Sequence, residues 1–452
     1  MDKKQLRKRV IALMIPILIQ NGITNLVSML DNLMVGRVGY ADYTGVSVAN
    51  QLIFVFTLCI FGAVSGAGIF GAQFFGRGDH KGLRDTFRFK VLFCLALTAA
   101  AALIFVFAGG QLINMFLQGE GEARDIALSF ERAKSYLNIM LIGLLPFTLV
   151  QCYSSTLRES GQTILPMAAS IAAVVTNLVL NYILIFGHFG APALGSDGAA
   201  VATVISRFVE LAIVAVFTFR ARAKNKFIVG AFRSFKVPLP LVKQIVLKGM
   251  PLILNETMWA AGAAAVGRYY SLRGLNVVSA YQINNTFFSV FSVAFMSVGV
   301  AIGIILGQML GAGEIEEAKP TAKRLMRFSV FLSIGVGAAF AALSPFVPQL
   351  YNTGDDVKNL ATGFMLICAA TMPFDAYANA AYFTLRSGGQ ALITIIFDSG
   401  FSWAVSVPAA LILARFTDIP ILPMYAAVQS LNFLKDVIGF VFVKKGKWAV
   451  KL

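Results

Sequence analysis

Three acidic residues lie inside long apolar segments of the chain. Asp31 is near the end of the run VIALMIPILIQNGITNLVSMLDNLMVG (residues 10–36), and Glu256 and Asp375 interrupt two later runs. As a helix, about 20 apolar residues span the ~30 Å hydrocarbon core of a bilayer. A carboxylate at that depth is unfavourable unless it faces a helix bundle, a partner or water, so such an acid indicates a functional site. The chemistry that it offers is the binding of a cation or a proton.

The composition predicts an all-α integral membrane protein. Hydrophobic residues make up 58% of the chain and charged residues 13%, whereas soluble domains average about 25% charged residues. Short loops leave no room for a separate soluble domain. The apolar runs predict twelve transmembrane helices, at 11–36, 46–75, 91–117, 135–157, 163–187, 198–219, 244–267, 277–310, 328–351, 359–385, 391–414 and 420–443.

The basic residues follow a pattern that predicts the orientation in the membrane. With the N-terminus (Lys3, Lys4, Arg7, Lys8 and Arg9) placed in the cytoplasm, the cytoplasmic segments hold 28 Lys and Arg residues and the outer loops hold 8. In membrane proteins the cytoplasmic loops carry the excess of Lys and Arg. We therefore expect a protein of the inner cell membrane with both termini in the cytoplasm. The net charge of +16 therefore reflects topology and does not indicate a nucleic-acid partner.

The sequence contains an internal repeat. TLRESGQT (156–163) matches TLRSGGQA (384–391) at an offset of 228, and GAQFFGRGD (71–79) matches LGQMLGAGE (306–314) at an offset of 235. Each half holds six predicted helices, and an even number keeps the two halves in the same orientation. Parallel repeats related by an axis along the membrane normal are typical of secondary transporters. We predict an N-lobe at 1–225 with helices 1–6 and a C-lobe at 226–452 with helices 7–12.

Polar residues in the first half have the spacing of a helix face. Asn177 and Asn181 lie four apart in helix 5, and Ala199 and Thr203 lie four apart in helix 6. Amide, hydroxyl and backbone oxygens together with the Asp31 carboxylate would form a hard-oxygen site for a monovalent cation, and not for a transition metal. The alternative is structural, because Asn, Ser and Thr side chains also hydrogen-bond between membrane helices.

The second half places acids beside aromatic and amide side chains. Asp375, Asn379 and Tyr382 recur along one face of helix 10, and Glu256 lies one turn before Trp259 in helix 7. Acids beside aromatic rings suit lipophilic cations through charge pairing and cation–π contact. The alternative for any one aromatic residue is contact with lipid or with other helices. The candidates for a substrate or second-ion site are Asn255, Glu256, Trp259, Gln282, Asn285, Asp375, Asn379 and Tyr382.

The other charged residues in the apolar runs are interpreted from their neighbours in the sequence. Arg207 and Glu210 are three apart in helix 6, so they are expected to pair along one helical turn. Lys435 lies near a predicted cytoplasmic helix end, where a lysine can extend to the membrane surface. Asp398 in helix 11 receives no role from the sequence.

Several motifs together resemble the multidrug and toxic compound extrusion (MATE) family of transporters: LDNLMVGRVG, GAQFFGRGD, TNLVLNYILIFG and the duplicated LR-x-x-GQ. The resemblance implies two six-helix lobes in a V and a cation site in the N-lobe at Asp31, Asn177, Asn181, Ala199 and Thr203. Sodium coupling would make Asp31, Asn177, Asn181 and Thr203 the Na⁺ ligands. Some members carry Asp at the position of Asn181, so this site has one carboxylate in place of two. One branch also uses acids that match Glu256 and Asp375.

These patterns favour a secondary antiporter that exports cationic, lipophilic compounds in exchange for inward Na⁺ or H⁺, by a rocking motion of the lobes. We expect a monomer surrounded by membrane lipid, with no cofactor besides the coupling ion. One alternative is a flippase for lipids or lipid-linked saccharides, which would favour cationic cavity residues. A second is a membrane-embedded transferase, for which the sequence shows no evident nucleophile–base pair. The choice between Na⁺ and H⁺ stays open.

Overall fold

The computed structural model describes residues 3–117, 123–351 and 353–452. It is an all-α membrane protein of twelve membrane helices, and no strand occurs within those ranges. Eleven of the helical segments are long and apolar enough to cross a bilayer, and the segment Pro251–Ser271 is the twelfth membrane helix. The helices are α1 (Lys3–Gly36), α2 (Tyr40–Gly76), α3 (His80–Leu117), α4 (Ala123–Glu159), α5 (Ile164–Phe186), α6 (Ser196–Arg220), α7 (Pro251–Ser271), α8 (Leu275–Ala312), α9 (Ile315–Leu343), α10 (Asp355–Ser387), α11 (Ala391–Phe416) and α12 (Ile421–Lys445).

The predicted number of membrane helices is confirmed, and the ends of several helices differ in an informative way. The third helix begins at His80 and the fourth at Ala123, whereas the apolar runs begin at 91 and 135. Hydropathy detects only the part of a helix that fits the hydrocarbon region. The backbone hydrogen bonds continue beyond that region through polar residues such as Arg84 and Arg88. The membrane helices therefore extend as helical stems into the polar surroundings.

Proline shapes α7. The prediction of one helix over 244–267 is replaced by two helical segments, Leu239–Gly249 and Pro251–Ser271. Proline lacks an N–H group and its ring clashes with the carbonyl four residues earlier, so it begins a helix more readily than it continues one. Pro16, which matches Pro251 in the repeat, lies within α1 without ending it.

The chain forms two compact units, which we describe separately. The N-terminal unit comprises Ile19–Gly71 and Asp79–Lys243, and the C-terminal unit comprises the segment up to Leu18 together with Ala72–Gly78 and Gln244–Leu452. In the N-terminal unit Arg88 on α3 donates to the carbonyls of Gly230 and Ala231 at 2.7 and 2.8 Å. The loop that contains Gly230 and Ala231 therefore packs against α3. The lobe boundary at residue 225 stays a prediction.

The repeat is visible in the backbone. Gly78 and Gly313, at equivalent positions after α2 and α8, have φ angles of 76° and 86°. Gly161 and Gly389, at equivalent positions after α4 and α10, have φ angles of 78° and 74°. Positive φ is accessible to glycine at little energetic penalty because it has no Cβ. The duplicated glycines thus form equivalent helix-ending turns in the two halves.

Two further glycines permit a close helix crossing within the C-terminal unit. A Cβ on Gly76 at the end of α2 would clash with the backbone of Gln308 on α8, and a Cβ on Gly311 would clash with the backbone of Gln73. Small residues allow membrane helices to approach at backbone distance. The contact is reciprocal, because Gly76 matches Gly311 and Gln73 matches Gln308 in the repeat.

Candidate cation-binding sites

The N-terminal unit brings Asp31 into a group of polar side chains from three helices. Asn181 on α5 donates from Nδ2 to Asp31 Oδ1 on α1 at 2.6 Å and to Asn177 Oδ1 at 3.1 Å. The Nδ2 atom of Asn177 lies 3.2 Å from the hydroxyl of Thr203 on α6. Four of the five residues predicted for the coupling-ion site are therefore contiguous. Ala199, the fifth, is buried one turn before Thr203 and brings no polar side-chain atom to the group.

The hydrogen bonds around Asn177 determine the orientation of its amide. When it is turned by 180°, its nitrogen lies 3.0 and 3.2 Å from the two carboxylate oxygens of Asp31, and its oxygen accepts from Thr203 at 3.2 Å. Because this orientation satisfies both the nitrogen and the oxygen of the amide, Asn177 is a donor to Asp31 and an acceptor from Thr203.

Charge singles out Asp31 within the group. Asn181 is fully buried, and its Oδ1 accepts no hydrogen bond from the residues that the structure describes. Within the same part of the chain, no lysine or arginine forms a salt bridge with Asp31. The basic residue that acts on it electrostatically is Arg207, which pairs with Glu210 at 2.9 Å. The group therefore offers one carboxylate together with amide and hydroxyl oxygens, the ligand set that hard cations prefer.

A second polar network in this unit was not predicted as a whole. Gln20 on α1 donates to Ser170 on α5 at 2.8 Å, and Arg158 on α4 donates to Gln20 at 2.8 Å. Ser170 in turn donates to Glu210 at 2.5 Å. The predicted pairing of Glu210 with Arg207 is confirmed at 2.9 Å. The network ties α1, α4, α5 and α6 together and leaves none of these charges isolated in the helix bundle.

A separate buried charge pair joins α3 and α4. The Lys90 ammonium lies 2.5 and 2.7 Å from the two carboxylate oxygens of Glu159, and it also donates to the hydroxyls of Ser155 and Thr156. Lys90 is 1% exposed and Glu159 4% exposed. Because both charges are fully paired and surrounded by hydrogen bonds, we assign this pair a structural role.

In the C-terminal unit Glu256 belongs to a chain of hydrogen bonds. Tyr382 on α10 donates its hydroxyl to Glu256 Oε1 on α7 at 2.9 Å. The neighbouring Asn255 donates to Asp398 Oδ2 on α11 at 3.0 Å and lies 3.5 Å from the Tyr382 hydroxyl. Ser399 donates to both the backbone and the side-chain oxygen of Asn255 at 2.7 Å. Three of the predicted residues, Asn255, Glu256 and Tyr382, are thus brought together.

Asp398 and Lys435 are the residues that the sequence reasoning missed. Lys435 on α12 does not extend to the membrane surface as predicted, because its ammonium bonds Asp398 Oδ1 at 2.6 Å. Asp398 lies in a π-helical turn, Ile396–Gly400, of the kind that often occurs at functional sites. The repeat held a signal for this pair, because at an offset of 228 Lys435 matches Arg207 and Asp398 matches Ser170.

Asp375 occupies a neighbouring position on α10. Asn432 on α12 donates to Asp375 Oδ1 at 2.8 Å. Asp436, one turn further along α12, is 9% exposed, and its Oδ1 has no hydrogen-bond partner within the described residues. Asp375 acts electrostatically on Asp436, and Lys435 acts on both acids. The C-terminal unit therefore concentrates carboxylates from α10, α11 and α12 around one lysine.

The remaining predicted residues lie apart from these bonds. Trp259 is 40% exposed, and Gln282 is exposed on α8. Asn285 is half-buried and hydrogen-bonds Tyr281. Asn379 packs close to Gly299, and its Oδ1 accepts no hydrogen bond within the described ranges. No hydrogen bond in the described part of the chain joins these four side chains to Glu256 or Asp375.

Comparisons with known proteins agree with this architecture. A probable multidrug resistance protein NorM of Thermotoga maritima is 24% identical over 449 residues, which cover 98% of this chain and 93% of the relative. Its namesake in Oceanobacillus iheyensis is 26% identical over 420 residues, 91% of this chain and 90% of the relative. A solved outward-facing conformation of a multidrug resistance MATE family transporter of the MOP superfamily has a TM-score of 0.88 at 17% identity, over 97% of this chain and 95% of that chain. This last likeness shows the fold.

The family model MatE matches the chain twice, at residues 16–183 and 251–412. The two matches fall in the two halves of the internal repeat, and together they cover more than half of the chain. The chain therefore belongs to the MatE family, the multidrug and toxic compound extrusion transporters.

Proposed function

We propose that this protein exports lipophilic organic cations from the cell in exchange for inward Na⁺ or H⁺. The observation that carries the proposal is the Asp31 carboxylate, which lies in a membrane helix against Asn177, Asn181 and Thr203 without a lysine or arginine in salt-bridge contact among the described residues. The relatives named as multidrug resistance proteins support an efflux role. Loop charges support a protein of the inner membrane with both termini in the cytoplasm, and we take it to act as a monomer.

Asp31 is proposed to take the coupling ion. A sodium ion would find the carboxylate oxygens, the Thr203 hydroxyl and the amide oxygens of Asn177 and Asn181, all from side chains in mutual contact. A proton would neutralise the same carboxylate by forming its O–H bond. Because one carboxylate cannot hold both ions at once, either choice gives a single site whose occupancy changes its charge.

Glu256 and Asp375 are proposed to meet the substrate or a second ion. Tyr382 directs the Glu256 carboxylate through its hydroxyl, and Asn432 directs Asp375 through its amide. Neither carboxylate forms a salt bridge with a basic side chain among the described residues, and the buried Arg386 acts on Glu256 only electrostatically. Alternating exposure of these sites to the two sides of the membrane by rocking of the lobes would complete the exchange of ion for substrate.

Export from proteoliposomes tests the proposal. The purified protein is reconstituted, loaded with a fluorescent lipophilic cation such as ethidium, and exposed to a Na⁺ gradient and a pH gradient separately. We expect one of the two gradients to drive accumulation against the concentration gradient, and an ionophore that dissipates it to abolish the effect. Protein-free liposomes serve as the control. Failure of both gradients, combined with movement of a labelled lipid across the bilayer, would replace the proposal with the flippase alternative.

A further inference from the structure

The two halves of the repeat each place a basic residue at the same point of their last helix. Arg207 on α6 and Lys435 on α12 match at an offset of 228. In the N-terminal unit the acidic partner, Glu210, lies on the same helix as Arg207, three residues away. In the C-terminal unit the partner of Lys435 is Asp398, from a different helix and a different point of the repeat. Lys435 thus pairs with an acid on a neighbouring helix, whereas Arg207 pairs with an acid on its own helix.

The surroundings of Lys435 have the chemistry of an organic-cation site. Its ammonium lies 2.6 Å from Asp398 Oδ1 and 5.4 Å from the centroid of the Phe397 ring. Lys435 acts electrostatically on Asp375 of α10 and on Asp436 of its own helix. Carboxylates next to an aromatic face are the groups that recognise ammonium ions in proteins. An organic cation would find the same partners if the lysine were not there.

The carboxylates outnumber the lysine. Lys435 forms one direct ion pair, with Asp398, whereas Asp375 is held by the neutral amide of Asn432. Asp436 is nine-tenths buried and has an oxygen with no hydrogen-bond partner within the described residues. The lysine therefore pairs directly with one of the three carboxyl groups, and the other two have no basic side chain in salt-bridge contact among the described residues.

We propose that the Lys435 ammonium is a permanent cation of this cluster. It competes with the transported cation for Asp398, Asp375 and Asp436. The competition weakens substrate binding enough to permit release and sets the number of positive charges that the cluster accepts. The inference rests on the proposed export of organic cations, and it adds a specificity-determining residue to that function. At an effective dielectric constant of about 20, two like charges several ångströms apart repel by more than about 1.4 kcal/mol, a factor of about ten in affinity.

Binding measurements on the intact protein test this role. The dissociation constant of radiolabelled tetraphenylphosphonium is measured for the detergent-solubilised wild type, Lys435→Gln and Lys435→Arg. We expect Lys435→Gln to bind about tenfold more tightly and to export more slowly, because release is hindered. Lys435→Arg keeps the positive charge and should stay near the wild-type value. Lys445→Gln removes an exposed lysine of the same helix and is the matched control, with no expected change.

A second pair of variants keeps the test valid if Lys435→Gln does not fold with Asp398 buried and unpaired. Asp398→Asn alone is compared with the double variant Asp398→Asn/Lys435→Gln. We expect the double variant to bind tetraphenylphosphonium about tenfold more tightly than Asp398→Asn. Equal affinities in this pair, or an unchanged Kd in folded Lys435→Gln, would overturn the role of Lys435 and leave the proposed function intact. Absence of binding in every variant and in the wild type would contradict both.

Discussion

The amide of Asn181 on α5 donates a 2.6 Å hydrogen bond to the Asp31 carboxylate on α1. The two residues are far apart in the sequence, and Asn181 is fully buried. A hydrogen bond to an ionised acceptor is shorter and stronger than one between neutral groups. The bond holds the carboxylate beside the two asparagines of α5, so this part of the site is preformed before an ion arrives.

Asn181→Ala should shift the ion dependence of export in a direction that depends on the coupling ion. With Na⁺, the loss of the amide oxygen proposed as a ligand should raise the concentration for half-maximal export. With H⁺, the loss of a hydrogen bond of about 1.5–3 kcal/mol to the ionised carboxylate should lower that concentration by about tenfold or more. The measurement is export by proteoliposomes as a function of Na⁺ or H⁺ concentration. Thr176→Ala is the control on the same helix, because the Thr176 hydroxyl bonds the carbonyl of Ala172 one turn earlier. An equal shift in both variants would remove the special role of Asn181.

Tyr382→Phe should affect the substrate more than the ion. The substitution removes the hydroxyl that donates to Glu256 at 2.9 Å and keeps the aromatic ring. The loss of a hydrogen bond of about 1 kcal/mol should raise the KM for an organic cation by about fivefold. The ion dependence of export should stay as in the wild type. Tyr377→Phe changes a half-buried tyrosine of the same helix, and a matching rise in KM there would contradict this interpretation.

The pair of Lys90 and Glu159 should matter for stability and not for selectivity. Lys90→Met leaves Glu159 buried without its cation, which destabilises a protein by about 3–5 kcal/mol. The double variant Lys90→Met/Glu159→Gln removes both charges and should recover most of that loss. Thermal unfolding of the detergent-solubilised protein measures the difference. The structural assignment fails if the double variant is no more stable than Lys90→Met.

The glycine crossing of α2 and α8 gives a prediction about packing. Gly76→Ala and Gly311→Ala should each lower the unfolding temperature by several degrees or prevent expression, because the added methyl clashes with rigid backbone. Gly335→Ala is the matched control, since a Cβ there meets open space in a helix. If all three variants melt alike, the crossing tolerates more space than the structure indicates.

The structural features that depend on local sequence patterns could be predicted from the sequence. Twelve apolar runs became twelve membrane helices, since hydropathy over about 20 residues reports directly on burial in lipid. The pairing of Arg207 with Glu210 was predictable because residues three apart on a helix are neighbours. The group around Asp31 followed from helical spacing together with the family resemblance, although spacing alone cannot orient three helices toward one point.

The features that escaped prediction depend on contacts between helices. Asp398 on α11 forms an ion pair with Lys435 on α12. The π-helical turns of α11 change which side of the helix its residues face. A regular helix of 3.6 residues per turn, which sequence reasoning assumes, does not contain such turns. Lys435 was assigned to the membrane surface because it lies near a predicted cytoplasmic helix end, where a lysine can extend to the surface. The repeat match with Arg207 was the available signal, and it indicates a buried pair.

Asp31 is proposed to carry the coupling ion, and ion-driven export of ethidium by proteoliposomes containing Asp31→Asn tests this role. Unchanged thermal stability is the check on folding. Asparagine keeps the shape of the side chain and loses its charge. We expect that the imposed Na⁺ or pH gradient no longer drives accumulation, while the variant still binds the organic cation at equilibrium. Gradient-driven export at the wild-type rate would show that Asp31 does not carry the ion.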